Sequence, residues 1–145
     1  MYKQITVFLE NKPGRMEEVV GCLSAKDINI HALSIADTTD FGILRMIVSD
    51  PENAKVALKE KAFMVKTTSV IAVAMDHKPG SLHKVLKELK ELDISIEYMY
   101  AFTSRHKEYD AVVIFSLADQ EKALEKLKNS SIAVLGADII DGLNE

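Results

Sequence analysis

The chain has 145 residues, of which 48% are hydrophobic and 28% are charged, a composition typical of a folded globular protein. Its net charge of −4 gives no basic surface for nucleic acid or an anionic membrane, and no apolar run approaches the roughly 20 residues that span a bilayer. The first residues show no signal-peptide pattern, so we expect a cytoplasmic protein. Cys22 is the only cysteine, which excludes a disulfide framework and favours a small buried hydrophobe inside a helix.

Hydrophobic spacing divides the first half of the chain into six elements. In chain order they are a strand over 2–9, a helix with the apolar stripe Met16, Val19, Val20 and Leu23, strands over 28–35 and 43–48, a helix over 52–61 and a strand over 63–68. The second helix follows "SDPEN", where Asp50 suits the N-cap and Pro51 the first helical position. An Asp/Thr-rich turn ending near Gly42 joins the second and third strands.

The second half of the chain repeats this plan. Pro13-Gly14 matches Pro79-Gly80 at an offset of 66 residues, and the offset becomes 69 beyond "FTSRHKEYDA", which is longer than its counterpart "ADTTDFG". The predicted elements are a strand over 70–75, a helix with the stripe Leu82, Val85, Leu86 and Leu89, strands over 94–103 and 111–117, a helix over 120–128 and a strand over 132–135. Two repeats, 1–68 and 69–145, therefore fill the chain, and the tail over 136–145 has no assigned element.

The order β-α-β-β-α-β, present twice, predicts an α+β protein of two ferredoxin-like domains, each an antiparallel sheet with both helices on one face. The first and third strands of each domain should be central, and the second and fourth should be edges. We expect the two domains to pair side by side through their edges into one eight-stranded sheet. The face opposite the helices should be exposed, which favours a homodimer that buries it.

The stretch "ENKPG" at the end of the first strand has the chemistry of an anion-binding corner. A helix that begins near Pro13 leaves its first backbone N–H groups without intrahelical partners, and Gly14 lets a ligand approach them closely. These amides and the positive end of the helix dipole suit a carboxylate or a phosphate. Asn11 adds an amide donor and a carbonyl acceptor, which favours a zwitterionic amino acid over a phosphate. The alternative is a plain turn into a helix that binds nothing.

The repeat "ENKPG…INI" resembles the ACT domain, a small ligand-binding module of amino-acid metabolism, and in particular the ACT domain of phosphoglycerate dehydrogenase. The resemblance implies a free amino acid held in the seam between two domains, by the first-strand-to-helix corner of one and the second strand of its neighbour, and thus two sites per chain. The ligand-contacting positions that it implies are Asn11, Lys12, Pro13, Gly14, Arg15, Met16 and Asn29 in the first repeat, and Asp76, His77, Gly80, Ser81, Leu82 and Ser95 in the second. In the second repeat His77 replaces Asn11 and Ser95 replaces Asn29, so the resemblance is weaker there.

Other chemistries find little support in the sequence. The four histidines, His31, His77, His83 and His106, lack metal-ligand spacing, and no nucleophile, paired-carboxylate or cofactor motif can be assembled. We therefore predict no metal site, no cofactor and no enzyme activity. His31 and Glu97 occupy matching positions and either line the ligand site or are ordinary edge-strand residues. The aromatic residues of "EYMYAF" share strand parity with the preceding isoleucines, which predicts that they face the core rather than stack on RNA bases.

Together these observations predict a non-enzymatic sensor that binds a free amino acid between its halves. Its output would go to a partner enzyme of amino-acid metabolism or to a second copy of the chain. A structural assembly module that binds no ligand is the alternative, and a regulatory subunit of a separately encoded metabolic enzyme is a further one.

Overall fold

The computed structural model describes residues 1–37, 40–104 and 108–136. The threonines of the first turn (38–39), His106 and almost all of the tail (137–145) lie outside the described residues. Backbone contacts divide the chain into two compact units. The first unit is Lys3–Thr68, and the second unit is Met1–Tyr2 together with Ser69–Glu145.

The first unit contains the six elements that its apolar spacing predicts. They are β1 (Tyr2–Glu10), α1 (Arg15–Ala25), β2 (Ile30–Asp37), β3 (Phe41–Val48), α2 (Pro51–Glu60) and the start of β4 (Met64–Met75). β3 pairs antiparallel with β1 on one side and with β2 on the other, so β2 lies at an end of the strand order. α2 begins as predicted, because the Asp50 side chain accepts a hydrogen bond of 3.1 Å from the Asn53 backbone N–H and Pro51 occupies the first turn.

The second unit completes the same order of elements. After β4 come α3 (Ser81–Glu91), β5 (Ile96–Thr103), β6 (Ala111–Leu117), α4 (Gln120–Lys128) and β7 (Ala133–Leu135). All pairings are antiparallel and the strand order is β7-β4-β6-β5, so the first and third strands of the repeat are central. This α+β, ferredoxin-like plan is the predicted one. No helix in the described ranges is long and apolar enough to cross a membrane.

β4 corrects one predicted boundary. The sequence predicts two strands, over 63–68 and 70–75, whereas the structure contains one strand of 12 residues, Met64–Met75. The intervening "KTTSV" has neither glycine nor proline and carries three β-branched residues, so nothing in it interrupts an extended backbone.

Each unit has its own hydrophobic core between the helices and one face of the sheet. In the first unit the largest fully buried side chains of this core are Ile5, Leu23, Leu44, Met46 and Leu58. In the second unit they are Ile71, Leu89, Phe115 and Leu127. The predicted helix stripes supply these contacts only in part, because Leu82 is 37% exposed at the start of α3. Cys22 is half-buried against the first core, and its Sγ lies 3.5 Å from the Ala57 carbonyl oxygen.

The sheet residues that alternate with these core positions are buried as well. Gln4 and Thr6 of β1 are 0% and 6% exposed, and Val112 and Ile114 of β6 are fully buried. The prediction that the face opposite the helices is exposed is therefore wrong for these positions, and the homodimer stays a prediction without support from them. The strand sequence explains the difference, because β6 reads "AVVIFSL" and continuous apolar runs are typical of strands buried on both faces.

A β-bulge interrupts the second strand of each repeat. In the first unit Ile30 pairs with Val48 and Ala32 with Ile47, which leaves His31 as the extra residue. In the second unit the same shift makes Glu97 the extra residue. The two residues that match between the repeats are thus the two bulge residues, and a bulge reverses the side of the sheet on which the following side chains lie.

The bulge at Glu97 overturns the predicted orientation of the aromatic residues in β5. Tyr98 pairs with Ser116 and Tyr100 with Ile114, whereas Met99 pairs with Phe115 of the helix-side core. Paired residues of an antiparallel sheet share a face. The aromatic residues therefore lie on the face away from the helices, not in the helix-side core, because the bulge changes the parity that the sequence alternation implies.

Candidate functional site

A left-handed glycine makes the corner between β1 and α1. Gly14 has φ 88° and ψ −12°, and α1 begins at Arg15, two residues after Pro13. The Arg15 N–H donates a long hydrogen bond of 3.4 Å to the Lys12 carbonyl oxygen, and the Glu18 N–H donates the first helical bond, of 3.0 Å, to the Gly14 carbonyl oxygen. No side chain caps this helix start. The corner thus presents the backbone amides that the sequence predicts.

The corner between β4 and α3 has the same backbone. Gly80 has φ 92° and ψ −18°, and the Ser81 N–H donates to the Lys78 carbonyl oxygen over 3.2 Å. A Cβ atom added at Gly14 or at Gly80 would meet no atom within 4 Å. Both glycines are therefore required by the positive φ and not by crowding, and the space beside each is open to a ligand.

The end of β2 lies beside the first corner. Gly42 of β3 pairs with Leu9 of β1 on one side and with Asp37 of β2 on the other, so the ends of three strands lie side by side. Across them the Asn11 Nδ2 donates a hydrogen bond of 3.0 Å to the Asp37 Oδ1. A Cβ added at Gly42 would lie 3.8 Å from the Asn11 Oδ1, an ordinary contact. Asn11 thus lies above Gly42 and is joined to the Asp37 carboxylate.

The bulge at His31 is the reason that Asp37 reaches the helix side of the sheet. Ile30 packs against the helix-side core, and Asp37 is seven residues further on, so regular alternation would place its side chain on the opposite face. One extra residue reverses that parity. Asp37 then shares a face with Leu9, which belongs to the core beneath α1.

These residues line an open cavity of about 520 Å³ in the first unit. Its lining residues are Leu9, Glu10, Asn11, Lys12, Pro13, Arg15, Met16, Ile35, Asp37 and Gly42. Leu9, Met16 and Ile35 form an apolar wall, and the other side chains are mostly charged or polar. A volume of this order lies within the range of small-molecule sites. The cavity therefore combines a helix start with both signs of charge and an apolar surface.

Most of the charged side chains of this cavity are already paired. The Lys12 Nζ lies 2.8 Å from the Glu10 Oε2, and this hydrogen bond together with the lysine charge lowers the pKa of Glu10. The Arg15 guanidinium lies 2.7 Å from the Glu18 Oε2 and is positioned 4.6 Å over the Phe63 ring. Asp37, in contrast, forms no ion pair among the described residues.

The structure places Asn29 away from this cavity within the first unit. Its N–H donates a hydrogen bond of 2.9 Å to the Ser49 Oγ, and its carbonyl oxygen accepts one of 2.9 Å from the Ser49 N–H. Asn29 lines a separate concavity of about 460 Å³ next to Asp27 and Ser24. The first corner and Asn29 thus line different cavities of this unit, whereas the family resemblance joins a corner to the second strand of a neighbouring domain.

The predicted residues of the second unit form a related but different surface. Asp76 and Lys78 form the counterpart of the Glu10–Lys12 ion pair, with 3.5 Å between Nζ and Oδ2. His77 is exposed where the first unit has Asn11. Ser81 and Leu82 open α3, and the carbonyl oxygen of Ser95 accepts a hydrogen bond of 3.0 Å from the Ala118 N–H.

Five lining residues of the first cavity are absent from the predicted ligand positions, namely Leu9, Glu10, Ile35, Asp37 and Gly42. Ile35, Asp37 and Gly42 come from β2 and β3, whereas the sequence drew attention to the β1–α1 corner. The charged end of "SIAD" next to a hairpin glycine was the available signal, but its relevance depends on the strand order and on the bulge. Among the described residues no three His, Cys, Asp or Glu side chains are grouped so that they could hold a metal ion.

This chain is similar in sequence and fold to known proteins. A family model described as "ACT domain pair" matches residues 1–141. The crystal structure of protein BT0572 from Bacteroides thetaiotaomicron is 42% identical in sequence, with a TM-score of 0.88, and the match covers 98% of this chain and 96% of that chain. The comparison with curated proteins yields no match.

Two further solved structures share the fold at low sequence identity. They are the regulatory subunits of aspartate kinase from Thermus thermophilus, in a ligand-free form, and from Thermus flavus. Their identities are 16% and 15% and their TM-scores 0.60 and 0.57, over 88% and 87% of this chain and 91% and 88% of those chains. Since the family model spans nearly the whole sequence, this chain belongs to the family of ACT domain pairs.

Proposed function

We propose that this chain is a non-catalytic regulatory protein of the cytoplasm that binds a free amino acid in the cavity beside the first corner. The observation that carries the proposal is the composition of that cavity, in which helix-start amides, an Asn–Asp pair and an apolar wall meet. Membership of the ACT domain family adds support, because the resemblance implies an amino-acid ligand.

The cavity offers a matching partner for the carboxylate, the ammonium group and the side chain of a free amino acid. Its carboxylate would accept hydrogen bonds from the amides around Gly14 and Arg15, where the helix dipole favours negative charge. Its ammonium group needs acceptors, which the Asn11 carbonyl and the Asp37 carboxylate supply. An aliphatic side chain would lie against the apolar wall. A phosphate would use only the helix-start amides and not the acceptors or the apolar wall.

The regulatory output we propose is a change in affinity for a partner enzyme of amino-acid metabolism or for a second copy of the chain. Ligand binding shifts such an equilibrium only if the ligand prefers one state, and the coupling is typically 1–3 kcal/mol. A separate regulatory chain of the same fold exists in the aspartate kinase of Thermus thermophilus, and that likeness concerns the fold alone. Light scattering with and without ligand measures whether the chain forms a homodimer and whether the ligand changes that equilibrium.

The test of the proposed ligand is a thermal-shift screen of the twenty amino acids. A ligand at 100 times its dissociation constant adds about 2.7 kcal/mol, which raises the melting temperature by roughly 5–10 °C in a chain of this size. The shift should disappear in Asn11→Ala, whose unliganded melting temperature should change little because the Asn11 side chain is exposed.

Asn29→Ala serves as the matched comparison. If the first cavity alone holds the ligand, the shift survives in Asn29→Ala, and if it disappears there too, the ligand also needs the strand asparagine of the family resemblance. No shift with any amino acid would reject the proposal and favour a structural assembly module. A shift that persists in Asn11→Ala would keep the ligand and reject this cavity.

A further inference from the structure

Asp37 differs from the other charged residues that line the first-corner cavity. Among the described residues its hydrogen-bond partner is the neutral amide of Asn11, whereas the others form ion pairs. Lys12 and Glu10 neutralise each other, and Arg15 is paired with Glu18. Asp37 accepts a hydrogen bond from the Asn11 amide and forms no ion pair among the residues that the structure describes. The cavity therefore has a negative charge without an ion-pair partner at the end of β2 and the start of helix α1 on its opposite side.

We propose that Asp37 makes this cavity selective for ligands that carry an ammonium group, so that it binds an amino acid and rejects the 2-oxo acid with the same side chain. The inference rests on the proposed function and adds a residue and a discrimination to it. The protein would then report the aminated form of a metabolite pair whose two members differ only at the α-carbon substituent.

The Asp37 carboxylate is oriented by a hydrogen bond to its side chain and by the strand pairing of its backbone. The Asn11 Nδ2 engages Oδ1 at 3.0 Å, and a carboxylate has about four acceptor positions on its two oxygens, so capacity for an ammonium group remains. The side chain sits at the end of β2, whose pairing with Gly42 fixes the backbone. Gly42 has no side chain between Asp37 and the corner, and it is buried in the sheet.

A 2-oxo acid would meet this carboxylate with an acceptor of its own. Its carbonyl oxygen cannot donate a hydrogen bond, so the Asp37 oxygens would face a second acceptor and lose solvent without compensation. In a fully buried site such a mismatch can cost a factor of roughly 10⁴ in binding. Asp37 is exposed, and water can screen and replace part of the interaction, so we expect a factor on the order of ten.

The second unit provides an internal contrast. Thr103 pairs with Ala111 at the register at which Asp37 pairs with Gly42, and the bulge at Glu97 precedes it as the bulge at His31 precedes Asp37. The same backbone therefore carries a neutral hydroxyl in place of the carboxylate. The negative charge is a feature of one corner and not of the repeated fold.

The test compares dissociation constants by isothermal titration calorimetry. The amino acid that most stabilises the wild-type chain is titrated beside its own 2-oxo acid, for example leucine beside 4-methyl-2-oxopentanoate or serine beside 3-hydroxypyruvate. We expect the amino acid to bind at least about tenfold more tightly to the wild type. In Asp37→Asn the ratio should fall below about threefold, since the amide can present either an acceptor or a donor.

Two controls test whether a change in the ratio reflects unfolding of the variant or a general loss of negative charge. Asp37→Asn keeps a carbonyl oxygen for the Asn11 amide, and its unliganded melting temperature reports whether the fold is intact. Asp40→Asn removes a neighbouring exposed carboxylate that does not line the cavity, and it should keep the wild-type ratio. An unchanged ratio in Asp37→Asn, with the amino acid still bound, would overturn the role of Asp37 and leave the proposed function standing. Absence of binding by every amino acid would instead remove both.

Discussion

Asn11 and Asp37 are 26 residues apart in the sequence and are joined by a hydrogen bond of 3.0 Å between Nδ2 and Oδ1. The contact connects the end of β1 to the end of β2, with Gly42 of β3 between them. Because both side chains are exposed, its contribution to stability is small, on the order of 1 kcal/mol or less. Its consequence is geometric, since it fixes an amide and a carboxylate beside the helix start of α1.

The two corner glycines should respond equally to substitution. Gly14→Ala and Gly80→Ala force a side chain into φ values of 88° and 92° without any steric clash, so we expect each to lower the free energy of unfolding by about 1–2 kcal/mol. Urea denaturation measures the change. Gly21→Ala is the control, because Gly21 lies within α1 and the new methyl group meets only the Glu17 Oε1 at 3.7 Å, so it should stabilise by up to about 1 kcal/mol. A much larger loss at only one corner would contradict the equivalence of their backbones.

The N-caps of α2 and α4 should differ although both are aspartate. Asp50 accepts a hydrogen bond from the Asn53 N–H, so Asp50→Ala should lower the free energy of unfolding by about 1 kcal/mol. Asp119 makes no capping hydrogen bond and has a left-handed backbone with φ 50°, so Asp119→Gly should be neutral or stabilising. Chemical denaturation of the two variants gives the signs, and a destabilising Asp119→Gly would show that its side chain has an unrecognised role.

Acid should weaken the contact between α3 and the segment before β7. The Ser131 hydroxyl and backbone N–H donate hydrogen bonds of 2.7 and 2.9 Å to the Glu88 carboxylate, and they lower its pKa below the ordinary value of 4.5. A lowered pKa in the folded state means that this stabilisation is present above pH 4.5 and is lost as the pH falls through the folded pKa. Melting temperatures from neutral to acidic pH should therefore fall more steeply in the wild type than in Glu88→Gln. Ser131→Ala, which keeps the backbone donor, should be intermediate, and identical slopes in all three would contradict the assignment.

Periodicity and turn chemistry were sufficient to predict the elements of both repeats. The helix of residues 120–128 and the strand of residues 111–117 have the predicted bounds, because their apolar spacing and flanking polar residues leave few alternatives. The orientation of β5 was not predictable in the same way. A single extra residue at Glu97 changes the face of every later side chain in the strand, and no residue type marks a bulge of this kind in the sequence.

The sequence predicts only the part of the candidate site that comes from the corner between β1 and α1. Asn11 and Gly14 are adjacent to a visible strand-to-helix boundary, so local chemistry identifies them. Asp37 becomes part of the cavity through two non-local facts, the pairing of β2 with β3 and the bulge at His31. Neither fact follows from residue spacing, because strand order depends on packing between distant segments.

The number of amino acids bound per chain decides between two sites, as the sequence predicts, and one site, as the cavity chemistry of the structure indicates. Duplicated corners predict two sites, whereas the chemistry of Asn11 and Asp37 is replaced by His77 and Thr103 in the second unit. We therefore expect calorimetry to give one bound amino acid per chain, with His77→Ala leaving the isotherm unchanged and Asn11→Ala removing it. A stoichiometry of two, reduced to one by either variant, would instead show that the backbone amides at Gly14 and Gly80 suffice for binding, because these amides are what the two corners share.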